Sequence, residues 1–120
     1  MTYDQIEDLR IYRLAEQISE RVWELAIKWS YFEKDTVGKQ LIRAADSIGA
    51  NIAEGYGRHH ANDNIRFLFI ARGSLQETKV WLIRAVKRKL LKQEMFDELI
   101  GSLNALAPQL NAFINSKRGG

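Results

Sequence analysis

The sequence predicts an all-α chain, an antiparallel up-down four-helix bundle forming one domain over residues 1–120. Three observations carry this. Apolar residues recur every three and four positions, which places them on one face of a helix. One proline in 120 residues, with few β-branched runs, favours helices over strands and turns. Cysteine is absent, which excludes a disulfide scaffold and thiolate metal sites.

The first predicted helix covers about residues 6–29, with Ile11, Leu14, Ala15, Ile18, Val22, Leu25, Ala26 and Trp29 on one face. Ser30 through Asp35 breaks that pattern. The second covers about 35–55, with Asp35 or Thr36 as its cap and Val37, Leu41, Ala45, Ile48 and Ile52 as its stripe. Gly55-Tyr56-Gly57 is expected to end it through a left-handed glycine. The third covers about 62–91, capped by Asn62, with Leu68, Ala71, Leu75, Leu82 and Val86 facing the core. The fourth covers about 93–115, with Phe96, Leu99, Ile100, Leu103, Leu106, Leu110, Phe113 and Ile114 on one side. Pro108 inside it removes a backbone bond and is expected to kink it. Ser116-Lys117-Arg118-Gly119-Gly120 reads as a frayed end. Connections of about 4–8 residues suit antiparallel neighbours.

An apolar fraction of 46% and a charged fraction of 28% exclude a disordered chain. Eighteen Lys and Arg against 15 Asp and Glu give +3, a balance that permits a polyanion partner without requiring one. The start, Met1 to Asp8, is acidic and lacks the apolar run of a signal peptide. No stretch approaches the ~18 apolar residues of a membrane span. A cytoplasmic protein with no membrane partner is the expectation.

Two helices carry more apolar surface than one bundle core uses. Leu9, Tyr12, Trp23 and Ile27 lie round the first helix from its stripe, and Phe67, Ile70 and Trp81 do so on the third. Large surplus patches mark partner surfaces, so self-association is expected, these seven residues forming the contacts. The alternative is that each aromatic leans over an edge of the bundle.

Arg43, Ser47, Asn51, Glu54 and Arg58 follow one another at spacings of 4, 4, 3 and 4, a continuous polar row if the helix persists. Gly49 and Ala53 form a small face, which suits a close helix approach, and Ala71-Arg72-Gly73-Ser74 with Glu77 repeats the theme. Alternating charge signs suggest a structural network of Arg43, Ser47, Asn51, Glu54, Arg58 and Glu77; a phosphate site held by Arg43 and Arg58 is the other reading. From Lys79 to Lys92 the cations Lys79, Arg84, Lys87, Arg88, Lys89 and Lys92 occur with no acidic residue between them. Cations there complement a helix dipole, but six exceed that need, and sequence-blind contact with nucleic-acid phosphates is the functional reading.

Enzyme signatures fail. Gly55-Tyr56-Gly57-Arg58-His59-His60 lacks the third glycine and the preceding strand of a dinucleotide fingerprint, and no phosphate-binding loop or nucleophile elbow occurs. His59 and Asp63 have ligand spacing, but two ligands rarely hold a metal, so no metal and no cofactor is expected. Glu16–Glu20 and Asp97–Glu98 read as solvated faces. Glu54 with Glu77 is the remaining acid–base pair, which leaves a hydrolase as the third reading.

Residues Lys34 through Arg58, with Asn51-Ile52-Ala53-Glu54-Gly55 and Gly57-Arg58 at their end, resemble the signature of a bacterial four-helix-bundle family. Phe67 through Leu82, centred on Ala71-Arg72-Gly73-Ser74-Leu75 and Glu77, and the opening Asp8-Leu9-Arg10-Ile11-Tyr12 do so too. The family is named for proteins encoded in intervening sequences of 23S ribosomal RNA genes. It is related to the accessory variability determinant proteins of diversity-generating retroelements. The resemblance covers about residues 6–92; Glu33 stands where the family commonly has proline. It implies a homopentameric barrel around a central pore. In the retroelement relatives that pore is basic and the protein binds nucleic acid and a reverse transcriptase.

The combined expectation is a non-enzymatic homo-oligomer, implied to be a pentamer, that binds RNA or DNA phosphates and has a reverse transcriptase as a further partner. The competing expectation is a protein-interaction scaffold that binds no nucleic acid.

Overall fold

A computed structural model describes residues 5–58 and 60–118, and at Ala61 the backbone alone. A 3-10 turn, Ile6–Asp8, leads into α1 (Arg10–Ala26). The short α2 (Tyr31–Glu33) runs through a π-helical stretch, Lys34–Gly38, into α3 (Lys39–Tyr56). Then come α4 (Ala61–Lys87) and α5 (Gln93–Arg118), and no strand occurs among the described residues.

The four long helices form because their apolar positions fall on one face, and they stay together because those faces share one interior. Val37, Leu41, Ala45, Ile48 and Ile52 are all 5% exposed or less. Ile18, Val22, Leu68, Leu75, Leu82, Leu99, Leu103, Leu106 and Leu110 are buried with them. Both α1 and α4 pack on α3 and on α5. Polar bonds between neighbours show the register. Arg10 Nε donates to Gln109 Oε1 (2.8 Å) and Arg21 pairs with Glu98. Ser74 Oγ donates to Ser47 Oγ (2.9 Å) and Asn64 Nδ2 to the Gly55 carbonyl (2.5 Å). Arg72 reaches Asn111 (3.1 Å) and Lys79 reaches Asn104 (2.6 Å). In each of these three helix pairs, numbers rise along one helix as they fall along the other. The result is a rod of 47 × 21 × 21 Å.

Besides the start of α1 at Arg10 and the end of α4 at Lys87, each about four residues short of the expected range, helix ends depart from the sequence reading in five places. First, α1 stops at Ala26 rather than near Trp29. Second, Ser30, not Asp35 or Thr36, starts the next helical run. Its Oγ accepts from the Glu33 N–H (3.2 Å) while Glu33 Oε1 accepts from the Ser30 N–H (3.1 Å), a reciprocal capping box. That cap makes Tyr31 and Phe32 the first helical residues.

Third, no described glycine adopts the left-handed conformation. Gly55 lies inside α3 and Gly57 follows it at φ −81°. Gly55 instead permits a close approach: a Cβ there would meet the Asn64 carbonyl oxygen at 3.0 Å and Phe67 Cβ at 3.3 Å. Fourth, α4 begins at Ala61 after His60, whose side chain makes no cap bond, and Asn62 does not cap it. Fifth, α5 is helical through Pro108 and on through Ser116, Lys117 and Arg118, which were expected to fray. Ser116 Oγ donates to the Phe113 carbonyl (2.7 Å), and the Lys117 ammonium lies 5.0 Å from the Phe113 ring centroid. Met1 to Asp4, His59, Gly119 and Gly120 lie outside the described residues, and with them the signal-peptide and His59 ligand readings.

The end of α4 holds the chain's one non-glycine residue with positive φ among those described, Lys89 at φ 64°. The Lys89 N–H reaches the Val86 carbonyl (3.1 Å) and the Leu90 N–H the Ala85 carbonyl (2.9 Å), the paired bonds that close a helix over a left-handed residue. A side chain costs about 1 kcal/mol or more in that conformation. Lys89→Gly is therefore expected to stabilise the fold by about 1 kcal/mol. A denaturant midpoint that failed to rise at unchanged slope would refute this.

Candidate nucleic-acid interface

The six cations of the Lys79–Lys92 stretch divide into two groups. Lys79 is half-buried and spends its ammonium on Asn104. The Arg84 guanidinium lies over the Trp81 ring, 4.5 Å from its centroid. Lys87, Arg88, Lys89 and Lys92 are exposed at the end of α4 and in the turn to α5, and none of their side chains bonds to another described residue. Four cations fall within six consecutive residues, around the left-handed backbone at Lys89.

The same end of the rod receives the connection from α1 to α3. Phe32, Glu33, Thr36 and Val37 share a surface depression with Arg88 and Leu90. Glu33 is held in the capping box and Asp35 by Lys39 (3.2 Å), so both carboxylates of the 28–39 segment are engaged. Between residues 28–39 and 84–94 this end carries eight cations and three carboxylates, whereas the whole chain is only +3. The remainder is therefore net acidic, and the charge is polarised toward one end.

The polar row resolves into separate pieces. Asn51 Nδ2 donates to the Ser47 carbonyl (2.8 Å) and hydroxyl (2.9 Å), and Ser74 joins them from α4. Glu54 pairs with Arg58 (2.6 Å), whose guanidinium also lies 4.8 Å from the Phe67 centroid. Arg43 and Glu77 are exposed and bond to neither piece. No three potential metal ligands converge among the described residues.

Of the seven surplus apolar residues, Trp23, Ile27 and Ile70 are exposed, at 50%, 47% and 45%. Leu9, Tyr12 and Trp81 are half-buried against the chain's own core, and the Phe67 ring centroid lies 4.8 and 5.1 Å from the guanidinium groups of Arg58 and Arg66. Sequence reasoning missed Tyr31 and Phe32, the most exposed large apolar residues at 79% and 75%, and also Val80 and Ile83. The Ser30-x-x-Glu33 spacing was the available signal for the first two, because it starts the helix one residue before them.

An acidic cluster marks the α1–α3 side. The Glu16 carboxylate lies against Gly49, in the space a Cβ would occupy, so what Gly49 accommodates is this side chain more than a closer helix. Ser19 Oγ donates to Asp46 Oδ1 (2.5 Å) beside it. Burial, then Asp46, then Glu20, holds the Glu16 carboxyl above its usual value of 4.5, and burial with Glu16 and Glu7 raises the Tyr12 phenol. A carboxyl whose folded pKa is raised imposes no penalty below the unfolded value and its full penalty above the folded one. Glu16→Gln is thus expected to stabilise the protein at neutral pH, with the gain vanishing in acid. Equal gains at both pH values in denaturant titrations would contradict it.

With this geometry in place, the chain can be compared with known proteins. A family model described as "23S rRNA-intervening sequence protein" matches residues 7–112. The chain belongs to that family. The family match takes in all of α1, α3 and α4, most of α5 and both connections at the basic end. A crystal structure of a protein of unknown function from the S23 ribosomal protein family of Bacteroides thetaiotaomicron VPI-5482 is similar to it, with TM-score 0.78 and 23% identity. That similarity covers 87% of this chain and 97% of the other, and it shows a shared fold. No curated protein matches. No described helix is long and apolar enough to cross a membrane.

Proposed function

We propose that this family member is a non-enzymatic, cytoplasmic nucleic-acid-binding protein that works as a homo-oligomer of antiparallel four-helix bundles. One observation carries the reading: Lys87, Arg88, Lys89 and Lys92 stand exposed and unpaired at one end of a rod whose remainder is net acidic. Cations without carboxylate partners are free to displace counterions from a phosphate backbone. The family's tie to an intervening sequence of 23S rRNA points to RNA. Exposed Trp23, Ile27 and Ile70 support association of copies, which gathers the basic ends into one field. We extend the proposal to a pentamer, with a reverse transcriptase as a further partner, on the sequence resemblance alone.

Titrating salt against binding to a mixed RNA pool tests the central claim. Affinity is expected to fall linearly on logarithmic axes between about 50 and 200 mM salt. Absence of binding at the low end would eliminate it and leave the second reading, a protein-docking scaffold, which the exposed apolar residues of α1 and α4 favour. Light scattering tests association separately: a species of 13.9 kDa at micromolar concentration would exclude it.

A further inference from the structure

We infer that the basic end is a site for unpaired nucleic-acid strand, with the Tyr31 and Phe32 rings as stacking surfaces beside the Lys87–Lys92 cations. The inference rests on the nucleic-acid reading above and narrows it to one class of ligand.

Tyr31 and Phe32 are adjacent, 79% and 75% exposed, and placed at a helix start by the Ser30–Glu33 capping box. Trp29, just before them, turns inward and packs over Gly38 and the core. The corner therefore buries one aromatic and presents the next two to water. A single exposed ring needs no explanation, but two neighbouring rings left in water forgo burial that the chain uses elsewhere. What surrounds them identifies the ligand. Phe32 lines the same depression as Arg88. Lys28 and Lys34 flank the pair in sequence, and neither side chain bonds to a described residue. The two carboxylates nearest in sequence, Glu33 and Asp35, are tied up by Ser30 and Lys39.

Aromatic faces bordered by unpaired cations match a ligand that alternates π-faces with negative charge. An unpaired strand has both. In a duplex the base faces are already stacked on one another, so the rings find no free face there and the cations still find phosphates. The rings confer preference for strand over duplex, and the cations confer affinity without sequence preference.

The test compares a fluorescein-labelled oligouridylate with an RNA duplex of equal length, by anisotropy, on the full chain and on two double variants. The strand is expected to bind more tightly than the duplex. Tyr31→Ser with Phe32→Ser is expected to weaken strand binding by about tenfold or more, to leave duplex binding within about twofold, and to keep the salt slope. Lys87→Gln with Arg88→Gln is expected to weaken both ligands and flatten the slope. Equal loss for strand and duplex in the aromatic variant, or no loss, overturns the stacking site while leaving the phosphate reading intact. Failure of the unaltered chain to bind either ligand at low salt overturns both. Light scattering on the aromatic variant separates assembly from stacking. A change in mass accompanying the lost affinity assigns Tyr31 and Phe32 to subunit contact and overturns the inference.

Discussion

Replacing Lys87, Arg88, Lys89 and Lys92 together with glutamine is expected to abolish most RNA binding while leaving the fold intact. Each phosphate contact on a single strand contributes a slope of about −0.7 to the logarithmic salt dependence, so four contribute about −2.8. At about 50 mM salt that slope corresponds to more than three orders of magnitude in affinity relative to molar salt, all of which the variant forfeits. Association of copies would enlarge the effect, because several basic ends would then act on one strand. The four side chains are exposed and bond to no described residue, so their loss should move stability by no more than about 0.5 kcal/mol each. An unchanged salt slope in the folded variant would show that RNA, if bound, is held elsewhere.

The second large effect is expected at the opposite end of the rod. Asn64 is 6% exposed, and its Nδ2 donates to the carbonyl of Gly55 at 2.5 Å, where α3 and α4 approach closely. Its Oδ1 is buried with no hydrogen-bond partner among the described residues. An aspartate in this place would set an ionised oxygen against a carbonyl oxygen, with no donor or cation among the described residues to receive the other. Asn64→Asp is therefore expected to cost about 3 kcal/mol or more at neutral pH, a large share of a total that for such domains runs about 5–15 kcal/mol. The sign of its pH dependence follows. Burial and the facing carbonyl raise the folded pKa of the new carboxyl, so the deficit grows as pH rises and shrinks in acid, where a protonated carboxyl donates to Gly55. Denaturant unfolding across pH measures this. A deficit independent of pH, equal to that of Asn64→Ala, would mean that only the lost bond matters.

Much of the core was legible in the apolar spacing. Every residue assigned to the second stripe, Val37 through Ile52, is buried, because a period of three and four admits one inward face and no other. The ends of helices were less legible. Gly55-Tyr56-Gly57 reads as a stop, yet Gly55 continues α3 and serves as the place where Asn64 and Phe67 come close. The left-handed residue falls instead on Lys89, whose type gives no hint of it. A helix end is decided by what the next helix needs to reach, and that is a property of the packed molecule.

The candidate site was half legible. The cation run is visible in the sequence, and its functional content depends on which cations keep company with a partner. Lys79 faces Asn104 on α5, a contact that no local spacing encodes, whereas Arg84 covers Trp81 three residues back on its own helix, a spacing the sequence does show. Glu54 and Glu77 likewise keep separate company: Glu54 is engaged by Arg58, two residues past the end of α3, while Glu77 stands exposed on α4.

Periodicity and composition by themselves determined an all-α chain with four long helices, their inward faces, and an uneven distribution of charge, because each depends only on the order of residues along the chain. The tertiary structure decided which end of the rod is basic and unpaired, which aromatics face water, and why Gly55 and Asn64 are where they are. Those outcomes depend on distances between segments that lie far apart in sequence, and such distances are set only when the helices pack around their common interior.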